Sequence, residues 1–371
     1  MCVLTIKRDE NLLPVLAKTR IVVLGNHEDR VWTKSEKFAP VLRADSLRYI
    51  VSMAVEKRRL LKQGDCKNAF CNGELPEDEV TIVRPPNGDP SAAKNEFWLL
   101  KRTLYGLRRS PRHWFDKIDK ILKSMGLKSN PYDPCVYSGC ICDPDDPAAP
   151  ELSTSLTLGL YVDDFIYFSC DDEVEARFQR ILSRLIKVEF MGVVEWFLGT
   201  HFSWRQNDEE TAVHLNQAGF SRNLVKSFNM QDRNINSHST PYRSGHPIDS
   251  IKQGDPDTLT PAQENRTHAY QSLVGSIGWL TQMTRPDIAT VHSFLASYTK
   301  CPSPGHMKCA LHALQYIHST HDYGISFTSK AKLPMHTFLR QPHETDLEAF
   351  TDAVAPTPEQ SHRLTTYTDA N

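Results

Sequence analysis

The sequence lacks any long apolar run and any paired arrangement of cysteines. No stretch approaches the about 18 consecutive apolar residues of a membrane-spanning helix, and the first residues show no apolar segment of signal-peptide length. The nine cysteines are scattered, and Cys140 and Cys142 have no second pair or nearby histidine to complete a zinc site. We therefore expect an intracellular, cytoplasmic protein with reduced thiols and no membrane association.

A strong net charge is also missing, but the charge is unevenly distributed. The formal net charge is −2 over 371 residues. Residues 1–130 carry 25 Lys and Arg against 16 Asp and Glu, so the first third of the chain is basic and compatible with phosphate binding. With 40% hydrophobic and 24% charged residues, the composition is that of a globular protein of more than one domain.

What the sequence does contain is an apolar stretch interrupted by two acidic residues. Residues 156–168 read LTLGLYVDDFIYF, with β-branched and aromatic residues on both sides of Asp163 and Asp164. Flanks of this kind and length predict a buried hairpin with the aspartates at or beside its turn. Adjacent carboxylates near apolar surface repel each other and indicate a divalent-metal site. Because Asp is also a common turn residue, this stretch alone leaves both interpretations open.

A third aspartate and two groups of basic residues accompany this stretch. Asp65 follows a short predicted strand, and Lys18 and Arg20 alternate along another strand, so both point to one face. That face could hold phosphates or could be a solvated strand edge. Three arginines within residues 108–112 lie at the start of a predicted helix, where free backbone N–H groups also favour anions.

The pattern of the chain changes at about residue 203. Polar segments there alternate with apolar stretches of helical period. Helices are predicted at residues 270–280, 288–298 and 307–317. We expect three regions, comprising residues 1–202, 203–330 and 331–371.

The order of the motifs around the aspartates resembles that of copia-type retrotransposon reverse transcriptases. YVDD alone would be a weak signal, whereas the ordered series is specific. The likeness extends over about residues 5–327. The motifs are DCKNAFCNG from Asp65, LYGLRRSPRHW from Leu104, YVDD from Tyr161 and WFLG from Trp196, with FAPVLR before them and TRPDI after them.

The resemblance implies an α+β fold of the right-hand polymerase type. A palm with an antiparallel sheet and partial fingers would occupy residues 1–202, and a thumb or connection region rich in helices would occupy residues 203–330. Residues 331–371 would form a linker and the truncated start of a ribonuclease H-like domain, with Asp369 at that domain's first catalytic position. We expect no ribonuclease H activity, and we expect the chain to be an excerpt of a polyprotein.

The resemblance also implies an RNA-directed DNA polymerase that adds dNTPs to a primer 3′-hydroxyl. Asp65, Asp163 and Asp164 would be the catalytic carboxylates and would hold two Mg²⁺ ions, or Mn²⁺, with help from the backbone carbonyl of Cys66. The partners would be an RNA template and a DNA or RNA primer, within a virus-like particle in the parent element. The alternative is a catalytically inactive, truncated remnant with at most residual nucleic-acid binding.

Further roles follow from the same resemblance at the nucleotide. Lys18 and Arg20 would contact the incoming triphosphate. Phe70, five residues after Asp65, would exclude a 2′-hydroxyl, although a core position is the alternative. Tyr105 and Gly106 would line the nucleotide and the template.

The three remaining residues concern the primer and the core. Leu198 and Gly199 would belong to the primer grip, where backbone contacts hold the primer end. Trp114, in the predicted helix after residue 110, is better explained as a core residue than as a platform for stacked bases.

Overall fold

The fold is α+β and consists of two units. The first comprises Met1–Ile50 and Leu61–Val193, and the second comprises Val51–Leu60 and the described residues from Val194 onward. Within the described part of the chain, no helix is long and apolar enough to cross a membrane. The computed structural model describes residues 1–8, 14–86, 93, 95–146, 152–231, 239–242 and 261–330.

The first unit alternates short helices with strands. Its helices are Lys34–Lys37 (α1), Ala44–Glu56 (α2, which contributes residues to both units), Ala69–Asn72 (α3), Ser110–Ser124 (α4) and Asp172–Leu185 (α5), together with the 3-10 segment Gly25–His27. Its strands are Cys2–Arg8 (β1), Pro14–Ile21 (β2), Lys62–Cys66 (β3), Ile82–Val83 (β4), Trp98–Leu99 (β5), Lys128–Ser129 (β6), Val136–Cys140 (β7), Ser155–Tyr161 (β8), Asp164–Ser169 (β9) and Val188–Val193 (β10).

A six-stranded antiparallel sheet forms the centre of this unit. The strand order is β10-β3-β9-β8-β7-β6. Strands β8 and β9 are the predicted hairpin, and they are joined by a two-residue turn, since Tyr161 pairs with Asp164. Both strands are buried along most of their length, as their uninterrupted apolar sequences require. The separate pairs β1-β2 and β4-β5 form two small hairpins.

Four aromatic rings pack between this sheet and α5. Phe165 and Tyr167, which alternate along β9 and so share a face, meet Phe178 of α5 and Phe190 of β10 at centroid distances of 5.1 to 6.2 Å. The Phe165 ring also lies over Gly64, where a Cβ would come within 2.3 Å of the ring. This glycine therefore allows the aromatic cluster to reach the neighbouring strand.

The second unit contains another antiparallel sheet and a set of helices with its own apolar core. The strands pair in the order β11-β12-β13-β14. The strands are Trp196–Phe197 (β11), Thr200–Gln206 (β12), Thr211–Asn216 (β13) and Gly324–Thr328 (β14). The helices are Ala218–Ser227 (α6), Pro261–Met283 (α7), Ala289–Ala296 (α8) and Pro304–Ser319 (α9), with the 3-10 segment Pro286–Ile288.

The predicted helices of this unit are present, but the sequence does not predict the pairing of β12 with β13 and of β13 with β14. The expected boundary after residue 202 falls inside β12, and the chain returns to the second unit at Val194. Residues 203–212 are polar, and part of this segment continues β12. The pairing of β13 with β14 joins residues more than 100 positions apart, and strand pairing over such a separation has no local signal.

Candidate active site

The structure brings the three predicted aspartates onto adjacent strands. Asp65, near the end of β3, is the direct cross-strand partner of Asp164, the first residue of β9. Asp163 lies in the turn between β8 and β9. The N–H of Cys66 donates to the carbonyl of Asp163 over 2.7 Å, which ties the turn to β3. Directly opposed residues of an antiparallel pair point to the same face, so Asp65 and Asp164 share one side of the sheet.

The environment of Asp163 and Asp164 disfavours the charged form of their carboxylates. Burial raises the pKa of Asp164 to about 6, with the charges of Asp163 and Asp65 adding to the effect. Burial is also the main cause of the raised pKa of Asp163, which the nearby cations of Lys18 and Arg20 partly oppose. Negative charge is therefore concentrated here beyond what the protein compensates, and a cation would relieve it.

Two residues that the sequence reasoning missed belong to this cluster. Glu189 of β10 is the cross-strand partner of Asp65 on its other side, so Glu189, Asp65 and Asp164 form a row across three strands. The ammonium of Lys67 forms ion pairs with Asp65, at 2.5 Å, and with Glu189. Lys67 could have been noticed from its position two residues after Asp65. Glu189 could not, because its place depends on the pairing of β10 with β3.

The donor set has the chemistry of a magnesium site, but it is not assembled as one. Among the described residues, no group of three or more His, Cys, Asp or Glu side chains lies close enough to hold a metal ion. The carboxylate of Asp65 is bound by Lys67 instead. Burial raises the pKa of the Cys66 thiol, so only the backbone carbonyl of this residue suits an oxygen-preferring ion. Carboxylate and carbonyl oxygens are the ligands that Mg²⁺ prefers.

The residues predicted to bind the nucleotide lie together in the first unit. The guanidinium of Arg20 lies 5.7 Å from the centroid of the Tyr105 ring, and this ring meets Phe70 edge-on at 5.4 Å. Lys18 is two residues before Arg20 on β2, and both are half-buried. The charges of both residues act on Asp163. The structure thus brings together residues from β2, α3 and the segment before α4.

Gly106 is required by the contact between this segment and the residues that follow β2. Its φ is +92°, and a Cβ there would lie 2.0 Å from the carbonyl oxygen of Val23. The N–H of Val23 in turn donates to the carbonyl of Tyr105 over 2.8 Å. A side chain at position 106 would therefore force the two segments apart.

The arginines at the start of α4 do not form the expected anion site. Arg108 donates to the backbone carbonyl of Gly25, Arg109 to Glu79 and Arg112 to Asp116. Each guanidinium therefore already has an acceptor within the protein. Arg108 and Arg109 join neighbouring segments of the first unit, whereas the Arg112–Asp116 pair lies within α4.

The remaining residues that the sequence singled out, where the structure describes them, are not part of the aspartate cluster. Leu198 and Gly199 form the turn between β11 and β12 in the second unit, with φ values of +49° and +71°. Asp369 lies outside the described residues. Trp114 is 2% exposed, which confirms its interpretation as a core residue. Its indole N–H also donates to the carbonyl of Val162 over 2.7 Å, a contact that the sequence did not indicate.

Comparison with known proteins identifies the class. The family model described as reverse transcriptase (RNA-dependent DNA polymerase) matches residues 2–243, so the chain belongs to this family. Its relatives are polyproteins of copia-type transposons. The chain is 28% identical over 318 residues to the retrovirus-related Pol polyprotein from transposon TNT 1-94 of Nicotiana tabacum.

Two further relatives come from a plant and a yeast. The identity is 25% over 321 residues with the Pol polyprotein from transposon RE1 of Arabidopsis thaliana and 21% over 282 residues with the Ty1-DR1 Gag-Pol polyprotein of Saccharomyces cerevisiae. The matches cover 86%, 86% and 73% of this chain but 23%, 20% and 15% of the three relatives. The chain thus corresponds to less than a quarter of each polyprotein.

Proposed function

We propose that this chain is an RNA-directed DNA polymerase that extends a primer with dNTPs by two-metal nucleotidyl transfer. The observation that carries the proposal is the pairing of Asp65 with Asp164 across adjacent strands, with Asp163 in the turn beside them. Membership of the reverse transcriptase family supports the reaction class. The basic residues and aromatic rings beside Asp163 supply the surroundings that a nucleotide needs.

The two units accommodate the subdomains of a right-hand polymerase. The six-stranded sheet with α5 would be the palm, and the β1-β2 hairpin with the segment that follows it would belong to the fingers. We assign residues 203–330 to a thumb or connection region and residues 331–371 to a linker with the start of a ribonuclease H-like domain. The β11-β12 hairpin, which contains Leu198 and Gly199, would be the primer grip.

Asp65 and Asp163 would be the direct ligands of both metal ions, with Asp164 and the carbonyl of Cys66 assisting. Asp65 and Asp164 share one sheet face, and Asp163 lies in the turn beside them. Burial and the neighbouring carboxylates raise the pKa of Asp164 to about 6, and an acidic cluster of this kind fits Mg²⁺ and also Mn²⁺. Bound divalent ions would activate the primer 3′-hydroxyl and stabilise the charge on the leaving pyrophosphate. The residues of the chain would orient the triphosphate so that the hydroxyl attacks in line.

The side chains beside the aspartates would select the substrate. Lys18 and Arg20 would bind the phosphates of the dNTP, since both lie near Asp163. Phe70 packs edge-on against Tyr105, so its ring is held in place and would clash with a 2′-hydroxyl. Tyr105 and Gly106 would line the nucleotide and template. An RNA template and a DNA or RNA primer would be held largely through their phosphates, so binding should weaken with salt.

Substitution of the hairpin aspartates tests this proposal. Asp163→Asn and Asp164→Asn keep the size of the side chain but remove its charge. We expect each to reduce extension of a DNA primer on an RNA template by at least about a thousand-fold, because ion binding would be lost. Asp145→Asn is the matched control, since Asp145 is 66% exposed and pairs with Arg184 on the surface.

Near-normal extension by either hairpin variant would contradict the two-metal assignment. The alternative function is that of an inactive remnant with residual nucleic-acid binding. It predicts that the unsubstituted protein is folded and binds RNA–DNA duplex but yields no product with Mg²⁺ or Mn²⁺. The same assay therefore separates the two.

A further inference from the structure

The turn that contains Asp163 has an unusual backbone. Val162 adopts a φ of +58°, a region that β-branched residues rarely occupy because the Cβ meets the following carbonyl. Glycine is the residue that two-residue hairpin turns prefer at positions with positive φ. The conformation at Val162 must therefore be held by contacts from outside the hairpin.

Two such contacts are present, one at each residue of the turn. A two-residue turn leaves the carbonyl of its first residue outside the ladder of the hairpin, and a backbone carbonyl removed from water needs a partner. The indole N–H of Trp114 supplies it, at 2.7 Å from the oxygen of Val162. The carbonyl of Asp163 accepts from the N–H of Cys66. The turn is thus attached to α4 through one residue and to β3 through the other.

We propose that Trp114 is a positioning residue for the aspartate pair. Its N–H holds the Val162 peptide in the orientation that requires positive φ, and this orientation directs Asp163 and Asp164 toward Asp65. Only the effect of Trp114 on catalysis rests on the proposed function. The geometric part of the proposal, the maintenance of the turn, concerns the protein without substrate.

A purely packing role for Trp114 makes a different prediction. The buried ring of Trp114 lines a cavity of about 70 Å³. The other residues that line this cavity include Phe70, Pro111, Leu160 and Val162. If only the ring mattered, a residue that retains an aromatic ring would preserve the turn. If the N–H matters, its removal alone would loosen the turn even where the fold is intact.

Trp114→Phe removes the donor, and Trp204→Phe is the matched control. The indole N–H of Trp204 donates to the carbonyl of Val194 over 2.9 Å, so the control loses the same kind of bond in the second unit. We expect Trp114→Phe to accelerate amide hydrogen exchange in the peptide that contains Val162 and to weaken Mn²⁺ binding to the free protein, measured by electron paramagnetic resonance, by roughly ten-fold. Trp204→Phe should change neither measurement.

A second substitution gives a rescue. Glycine adopts positive φ without steric cost, so Val162→Gly in the Trp114→Phe background should restore most of the Mn²⁺ affinity. Because phenylalanine is smaller than tryptophan, a third variant carries β-(3-benzothienyl)alanine at position 114, which keeps the bicyclic shape and replaces the N–H by sulfur. This variant should behave as Trp114→Phe does.

Unchanged exchange and unchanged Mn²⁺ affinity in the benzothienyl variant would overturn the proposal, as would a failure of Val162→Gly to rescue. Primer extension is measured separately on the unsubstituted protein. Its absence would contradict the proposed function, whereas the exchange and rescue results would still decide the role of Trp114.

Discussion

At the scale of the residue, the site is defined by one lysine as much as by its aspartates. Lys67 holds the carboxylates of Asp65 and Glu189 together, and its bond to Asp65 raises its own pKa to about 12. It therefore stays protonated at neutral pH. Lys67 thus supplies part of the positive charge that this acidic cluster needs, at the carboxylate that a metal ion would also bind.

This competition leads to a prediction for Lys67→Met. Loss of the ammonium frees Asp65, so Mn²⁺ should bind the substrate-free protein about three- to five-fold more tightly, which corresponds to about 1 kcal/mol for an ion pair exposed to solvent. The measurement is a titration followed by electron paramagnetic resonance. Lys123→Met is the control, because Lys123 also pairs with an aspartate, Asp119. Equal or weaker Mn²⁺ binding by Lys67→Met would argue against the competition.

At the scale of the element, two Arg-x-Asp pairs with similar geometry differ in their burial. Arg285 joins the 3-10 segment Pro286–Ile288 to the end of α9: it donates to Asp287 and to the carbonyl and hydroxyl of Thr320, and it is 1% exposed. Arg43 donates to Asp45 with a similar fork but is 62% exposed. The arginine and the aspartate of the TRPDI motif therefore have a structural role, which is to join two segments of the second unit.

The comparison of Arg285 with Arg43 allows a matched test of stability. Arg285→Lys keeps the charge but cannot serve both Asp287 and Thr320, so it leaves buried acceptors unpaired. We expect it to lower the free energy of unfolding by about 3 kcal/mol, measured by urea titration. Arg43→Lys should cost less than about 0.5 kcal/mol. Similar small effects of both substitutions would mean that the Arg285 network contributes little to the stability of the unit.

The elements also show what local sequence can predict. The β8-β9 hairpin was predicted because its apolar strands and its acidic turn lie next to each other in the chain. The helices α7, α8 and α9 were predicted from their apolar periodicity. The position of Glu189 and the β13-β14 pair were not, because each depends on strand pairing between distant segments. The contact of Trp114 with Val162 joins residues 48 positions apart and has no periodic signal either.

At the scale of the whole molecule, the α+β class and the grouping of the aspartates could be predicted from the sequence. The grouping came from the order of the motifs, and the structure brings Asp65 and Asp164 into direct register. The boundary of the second unit at Val194 could not be predicted, because the polar residues after position 203 give no sign that they continue a strand. A polar composition indicates that a segment is exposed to solvent. It does not indicate that a strand ends there, because one face of an antiparallel strand can be exposed along its whole length.

The most direct test of the central claim is extension of a 5′-labelled DNA primer annealed to an RNA template by the unsubstituted protein. The account predicts products that lengthen with all four dNTPs, that stop at the first position lacking its complementary dNTP, and that require Mg²⁺ or Mn²⁺. A folded preparation that binds the primer–template but adds no nucleotide with either ion would contradict it.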